Sequence, residues 1–500
     1  MALKDKIRKT ILNFLGLENQ FVINQDVKTE LNEYKVWYIG NSEKLMRFYT
    51  IGETKTNNNL FKLQNKLNYF WSLSTSECNI KRVHSGLPKV IIDTLCDVVG
   101  TPKISVREEY KKTLDDILCI NDFDFLLTKQ QRPMTMVEGY GAYKININRE
   151  ISDKPLIEFY DGENVEFVCK GNFIQAFIFK DKYNIEEKEY TLLEIRKVED
   201  GVSVIDYELY YKNKKIPLES VKEFSHLANA KIEFKGLARP LAVATRYLVD
   251  PSGEKLGYSF FEGKIDLFDD LDQCLSQASQ TTRVSTPVEY FNADILGRTP
   301  NGEPKLPRVY NRQFIQRDTI PDGDGHVDND VITTQPQLNF AQYNDEAMYL
   351  LSVILTGQLS PATLGIDLAK KDNAEAQREK EKITIVTRNK IINREKKFIK
   401  ELVEDILFVN DFMHSSNGVV DLKDYEVAVS FDEFATPTFE TKIEKLGQAF
   451  RDDCISTEKY VELLWGDKLN EQERREEIAK LNAMKNGDDL NLESFEKEWA

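Results

Sequence analysis

Residues 373 to about Met413 run for forty-one positions without a proline or a glycine. Nothing else in the chain limits its fold as strongly. Asp372 or Asn373 can cap the start of this run, and Glu375 sits where negative charge suits a helix N-terminus. At ~1.5 Å per residue the helix would be about 60 Å long. That is unusual for a compact monomer and fits an element that spans several neighbours. Residues 357–372 precede it as the loop GQLSPATLGIDLAKKD, and a helix at about Asn339 to Thr356 precedes the loop.

A second long helical pattern spans Ser259 to Thr282. Phe260, Phe261, Ile265, Phe268, Leu271, Leu275 and Ala278 recur at three- and four-residue steps. Glu262, Asp266, Asp269, Asp270 and Asp272 set five acids against one base, Lys264. A charge run of this kind is expected to be a solvated or channel-facing stripe. Between the two patterns, residues 283–337 hold Pro287, Pro300, Pro304, Pro307, Pro321 and Pro336, which predicts an insert of short strands and turns.

Upstream, the texture divides near Gly139. Before it the chain reads as helices: Leu60 to Tyr69, Leu87 to Val99 with Pro88 in its first turn, and Val106 to Ile117. After it come short runs rich in β-branched and aromatic residues, the signature of an antiparallel β region that ends near Asp250. These runs are Ala142–Asn148, Leu156–Phe159, Val165–Val168, Ile174–Phe179, Tyr190–Ile195 and Tyr207–Tyr211. Downstream of the long helix, Tyr425 to Phe431 predicts a β segment, and residues 437–500 predict two or three acidic helices. The fold class is therefore α+β. At the start, Leu3, Ile7, Ile11 and Phe14/Leu15 share one helical face beside Lys4, Lys6, Arg8 and Lys9. This predicts an amphipathic helix docked on its own or a neighbouring subunit. No apolar stretch approaches the ~20 residues of a membrane span.

The chemistry that the sequence lacks narrows its function. It carries no GxxxxGK[ST], HExxH or GxSxG pattern. Gly139-Tyr-Gly141 lacks the third glycine of a dinucleotide fingerprint. Cys78, Cys96, Cys119, Cys169, Cys274 and Cys454 are far apart and form no CxxC pair, which favours reduced thiols over a disulfide framework or a zinc site. His84, His226, His326 and His414 have no neighbouring nucleophile in sequence and are expected to be surface or satisfied core residues. Asp322 to Asp330 resembles a calcium loop only superficially and is expected to be a plain turn. Neither a catalytic residue nor a metal or other cofactor is expected. The net charge of −16 argues against tight, phosphate-neutralising capture of nucleic acid, and any contact with DNA is expected to be loose.

The order of parts resembles the portal proteins of tailed double-stranded DNA phages. Three segments carry the resemblance: Gly139-Tyr-Gly-Ala-Tyr-Lys-Ile145, Gly257-Tyr-Ser-Phe-Phe-Glu262, and Leu359-Ser-Pro-Ala-Thr-Leu-Gly-Ile366 followed by Asn373-Ala-Glu-Ala376. It is clearest over residues 250–415. It implies a head-to-tail ring, ordinarily of twelve copies, closed by rotation. The implied layout is a wing over 1–255, a stem helix over 256–282, a small α/β clip over 283–337 and a second stem helix over 338–357. A tunnel loop over 358–372, a long wing helix with a short β segment over 373–436 and a helical crown over 437–500 complete it. The implied setting is one vertex of a virion capsid, assembled in the host cytoplasm. The implied partners are the terminase large subunit, major capsid and scaffolding proteins, a head–tail adaptor and double-stranded DNA, with no membrane.

Under this resemblance Glu262, Asp266, Asp269 and Asp270 would line the channel, where acidic walls let a duplex slide. Leu364 and Ile366 would form a collar in the tunnel loop, and Lys370 and Lys371 would touch phosphates without reading bases. Arg298, Arg308, Arg312 and Arg317 would offer planar charges for docking of the motor and adaptor. Two alternatives stand beside it: another phage structural protein such as an adaptor, or a metal nuclease built on the Asp266–Asp272 stripe.

Overall fold

The computed structural model describes residues 25–51, 69–73, 80–170, 173–212, 214–228, 232–249, 256–285, 287–292, 300–301, 313–317, 332–335, 340–366, 374–415, 420, 422–432, 439–452, 454–465 and 471–485. The chain is α+β and divides into two compact units, Met1–Asp432 and Glu433–Ala500.

The first unit opens with α1 (Gln25–Ile39) and α2 (Ser42–Ile51). Gly40, at φ +66°, turns the chain between them, and Asn41 Oδ1 accepts from the amides of Glu43 at 2.9 Å and Lys44 at 3.0 Å to cap α2. Then come α3 (Leu87–Val99), with the expected bounds and Pro88 in its first turn, the strand β1 (Pro102–Ser105) and α4 (Glu108–Ile120). A π-turn at Leu126–Gln131 leads into α5 (Arg132–Glu138). The helix expected at Leu60 to Tyr69 and the amphipathic segment Met1 to Leu17 lie outside the described residues.

Two sheets follow. In the first, β2 (Tyr140–Asn146) lies between β3 (Leu156–Asp161) and β10 (Ala242–Arg246), all antiparallel. The second carries β4 (Val165–Lys170), β5 (Phe173–Ile185), β6 (Lys188–Glu199), β7 (Val202–Tyr211) and β8 (Lys214–Ile216) in sequence order, with β9 (Ile232–Phe234) also on β7. The strands are longer than the apolar runs that announce them, because hairpin pairing carries the ladder past the buried residues: Asn184 pairs Glu189, and Ile185 pairs Lys188.

Then comes α6 (Ile265–Val284), followed by three strands in the proline-rich insert. There β11 (Val288–Asn292) pairs parallel with β12 (Gln313–Arg317) and antiparallel with β13 (Ile332–Thr334). The next elements are α7 (Phe340–Leu355), α8 (Ala374–His414) and β14 (Ala428–Phe431), which closes a two-stranded ribbon with β1. β1 is a strand the sequence reading did not separate from its flanking helices.

α8 is the spine of this unit. Ile391, Phe398, Ile399, Leu402, Val403 and Ile406 through Val409 are buried in the main core. Ile406, Leu407, Phe408 and Val409 cover every direction around the helix, and such a helix must be enclosed on all sides. Much of its length therefore serves the core of its own chain. At its centre Arg132 of α5 donates to both carboxylate oxygens of Glu395, each at 2.8 Å, with both side chains fully buried. Arg132 also donates to Cys96 O at 3.1 Å, and Tyr247 OH donates to Glu395 at 2.7 Å.

The second unit holds α9 (Phe439–Arg451), α10 (Thr457–Trp465) and α11 (Glu471–Lys485), the helices expected there. Phe450 stacks on Tyr460 at 4.7 Å, and Thr457 Oγ1 donates to Asn482 Oδ1 at 2.6 Å. Among the described residues no helix is long and apolar enough to cross a membrane.

Candidate functional site

α6 and α7 form an antiparallel pair that brackets the proline-rich insert. Near the start of α6, Lys264 Nζ donates to Ile354 O near the end of α7; farther along, Cys274 Sγ donates to Tyr343 O at 3.4 Å. α6 begins at Ile265, not at Ser259. Gly263 takes φ +69°, and the chain from Ser259 is a turn in which Ser259 Oγ accepts from Phe261 N at 2.9 Å and Met136 O accepts from Phe260 N at 2.9 Å. The turn docks this segment on α5 before the helix can start.

The acidic stripe splits into an outer and an inner half. Asp266 and Asp270 are exposed. Tyr69 OH donates to Asp266, and burial together with Asp266 and Glu346 pushes the Asp270 carboxyl up. Glu262 is half-buried and accepts from Tyr34 OH at 3.0 Å. Asp269 corrects the expectation of a channel-lining residue: it is buried, and its two oxygens accept from Phe70 N at 2.7 Å and Trp71 N at 3.3 Å. Burial pushes its carboxyl up to about 7 against the pull of those amides. Asp272 is fully buried as well and accepts from Ser85 N at 2.8 Å and Trp71 Nε1 at 3.1 Å, with His84 Nδ1 at 2.7 Å. These inner acids tie residues 70–85 to α6. A nuclease reading of the stripe loses the same two carboxylates. Their inward turn was visible in the pattern: Asp269 lies four residues after Ile265, and Asp272 four after Phe268, on the apolar face.

The three segments singled out in the sequence meet at the base of this pair. Gly139 has φ +88°, and a Cβ there would lie 2.7 Å from the Tyr258 carbonyl carbon, so these backbones can touch only as glycine. Gln358 Nε2 donates to Phe260 O at 2.6 Å, which brings the loop after α7 to the same joint. Beyond it, Ser360 N donates to Thr384 Oγ1 at 2.9 Å, and Thr363 Oγ1 lies 2.9 Å from the same hydroxyl. Thr384 is fully buried on α8 and roots the loop there. Leu364 is half-buried against the main core of its own chain, and Ile366 is half-buried.

Lys370, Lys371, Arg298, Arg308, Arg312, His326, Cys78 and the Asp322–Asp330 turn lie outside the described residues, as does the side chain of Arg317, whose backbone is in β12. His84 is a half-buried partner of Asp272, whereas His226 and His414 are exposed. Cys96, Cys169 and Cys274 are buried free thiols; Cys119 and Cys454 are exposed and free. Among the described residues no group of three or more His, Cys, Asp or Glu side chains is placed to hold a metal ion. One feature absent from the sequence reading is the outer face of α7, where Met348 and Tyr349 stand exposed. The four-residue step from Asp345 to Tyr349 breaks the apolar stripe and could have signalled two faces. The chain matches no known protein-family model and no curated protein.

Proposed function

We propose that this chain is a subunit of a phage portal, the ring at one capsid vertex through which a terminase motor drives double-stranded DNA and to which adaptors and tail later attach. The observation that carries the reading is the antiparallel α6–α7 pair. It brackets a small β insert, and it is followed by a loop rooted on the start of a forty-one-residue helix. In a ring, copies of this pair would surround the axis. The exposed apolar face of α7 would meet a neighbour, since apolar patches on a soluble surface mark contacts. Asp266 and Asp270, with the overall charge of −16, would keep the bore repulsive to phosphate, so that DNA slides.

Catalysis is not part of this role. ATP turnover would belong to the motor docked on residues 283–337, and the setting would be the virion. The deciding experiment is native mass spectrometry of the purified assembly with negative-stain images. A closed ring of about twelve copies with a central channel is expected. A monodisperse species of 57.9 kDa at all concentrations and salts, in the presence of capsid scaffold, would refute it.

A further inference from the structure

Over residues 383–397, α8 is buried on one side, where Thr384, Ile391 and Glu395 face inward, and open on the other. On the open side Ile383, Val386, Lys390, Arg394 and Lys397 follow one another at steps of three and four residues and so form one stripe. At ~1.5 Å per residue the stripe is about 21 Å long. Ile383 and Val386 are 44% and 48% exposed, Lys390 and Lys397 are exposed, and Arg394 is half-buried. Arg246, the last residue of β10, joins the stripe from the side. It is half-buried and donates to Leu256 O at 3.1 Å. Burial and the nearby Arg394 hold its guanidinium below its ordinary value.

These four bases stand out in an acidic chain. Among the described residues none of them forms an ion pair with a carboxylate. Farther along α8, by contrast, Glu404 meets Arg239 at 3.1 Å. Lys390 and Arg394 are four residues apart, and Arg394 and Lys397 three, so like charges repel along the helix. Arg246 has lost part of its water and gained one carbonyl in return. An opposing carboxylate would relieve both the repulsion and the desolvation.

The chain itself supplies such a partner. It carries 83 acids against 67 bases, so the rest of its surface has carboxylates in excess. A molecule with one basic face and an acidic remainder complements itself head to tail. Ile383 and Val386 extend the stripe with apolar surface, which suits a protein partner better than a line of phosphates.

We infer that the stripe from Ile383 to Lys397, together with Arg246, is a contact face that takes an acidic surface of a second copy of this chain. The face is distinct from that of α7. The inference concerns any assembly of the chain and does not depend on the portal reading.

Sedimentation of the full chain over a range of concentration and salt tests it. The parent should self-associate, and more weakly as salt rises. Lys390→Glu/Arg394→Glu/Lys397→Glu should weaken association by at least about tenfold. If that variant unfolds, Lys390→Gln/Lys397→Gln decides the matter, with a smaller loss of the same sign. The triple variant keeps its own acidic surface, so when mixed with parent chains it should cap their assemblies and reduce their size. Association that is unchanged in the variants, or indifferent to salt, would overturn the inference. A ring that closes equally well in the triple variant would do so while leaving the portal reading intact, whereas a parent that stays monomeric under all conditions, scaffold included, overturns both. A short DNA duplex bound by the parent and not by the triple variant, with self-association unaffected, would assign the face to nucleic acid instead.

Discussion

Breaking the pair Arg132–Glu395 one partner at a time should be far more harmful than removing it whole. The guanidinium and carboxylate make two parallel bonds of 2.8 Å, and neither side chain touches solvent. In Glu395→Leu the guanidinium keeps Cys96 O as an acceptor but loses its counter-charge. An uncompensated charge at such a site costs about 3–5 kcal/mol. Arg132→Met strands the carboxylate with Tyr247 OH as its remaining donor and should cost a similar amount. The double variant Arg132→Met/Glu395→Leu removes both charges and keeps most of the volume. Its remaining losses are the Tyr247 bond and the donation to Cys96 O, about 1 kcal/mol each, the first partly recovered because Tyr247 OH also reaches Gln131 Oε1 at 3.4 Å. The two single costs should therefore exceed the double by several kcal/mol, a coupling well above the scatter of a double-mutant cycle. Urea unfolding of all four proteins measures it. Single variants costing under about 1 kcal/mol, or a double variant equal to their sum, would show that the pair is not the buried tether between α5 and α8 described above.

The raised carboxyl of Asp269, at about 7, means that the native state holds a proton which the unfolded chain releases near pH 4. Its contribution is thus complete below that unfolded value and lost as pH rises through 7, so the parent should lose stability relative to Asp269→Asn between pH 5 and pH 8; parallel pH curves for the two would refute this. Thr384→Val removes the hydroxyl that roots Ser360 and Thr363, costing about 1–2 kcal/mol locally, and should speed exchange of residues 358–366 without altering the rest of α8. Gly139→Ala forces a Cβ against the Tyr258 backbone at φ +88° and should lower stability by more than about 2 kcal/mol, read as loss of soluble protein or a lowered denaturation midpoint. If the chain is a portal subunit, replacing Lys370 and Lys371 with glutamate should slow DNA packaging and leave ring assembly intact; packaging at the parental rate across a range of salt would remove them as DNA contacts.

The helices that depend on local pattern were legible in the sequence, except that the turn before Ile265 delays the start of α6. α3 keeps the bounds its apolar spacing and Pro88 imply, and α8 keeps the span its lack of proline and glycine allows. The existence of the β region and of the insert strands was legible too, since period-two alternation and turn residues are local signals. What no local signal contains is the partner. The spacing of Asp269 and Asp272 sets them on the apolar face of α6, but only Phe70, Trp71, His84 and Ser85, some two hundred residues away, bring the donors that make a buried carboxylate tolerable. β1 reads as a link between helices until β14 pairs with it across more than three hundred residues. Arg132 and Glu395, more than two hundred and sixty residues apart, become a buried pair only when the fold closes them on each other. The sequence by itself determined the long helices and the extent of the β region, because backbone geometry and side-chain period are properties of neighbours along the chain. Only the tertiary structure decided which polar groups leave water, because desolvation is offset solely by a donor or counter-charge that a distant segment delivers.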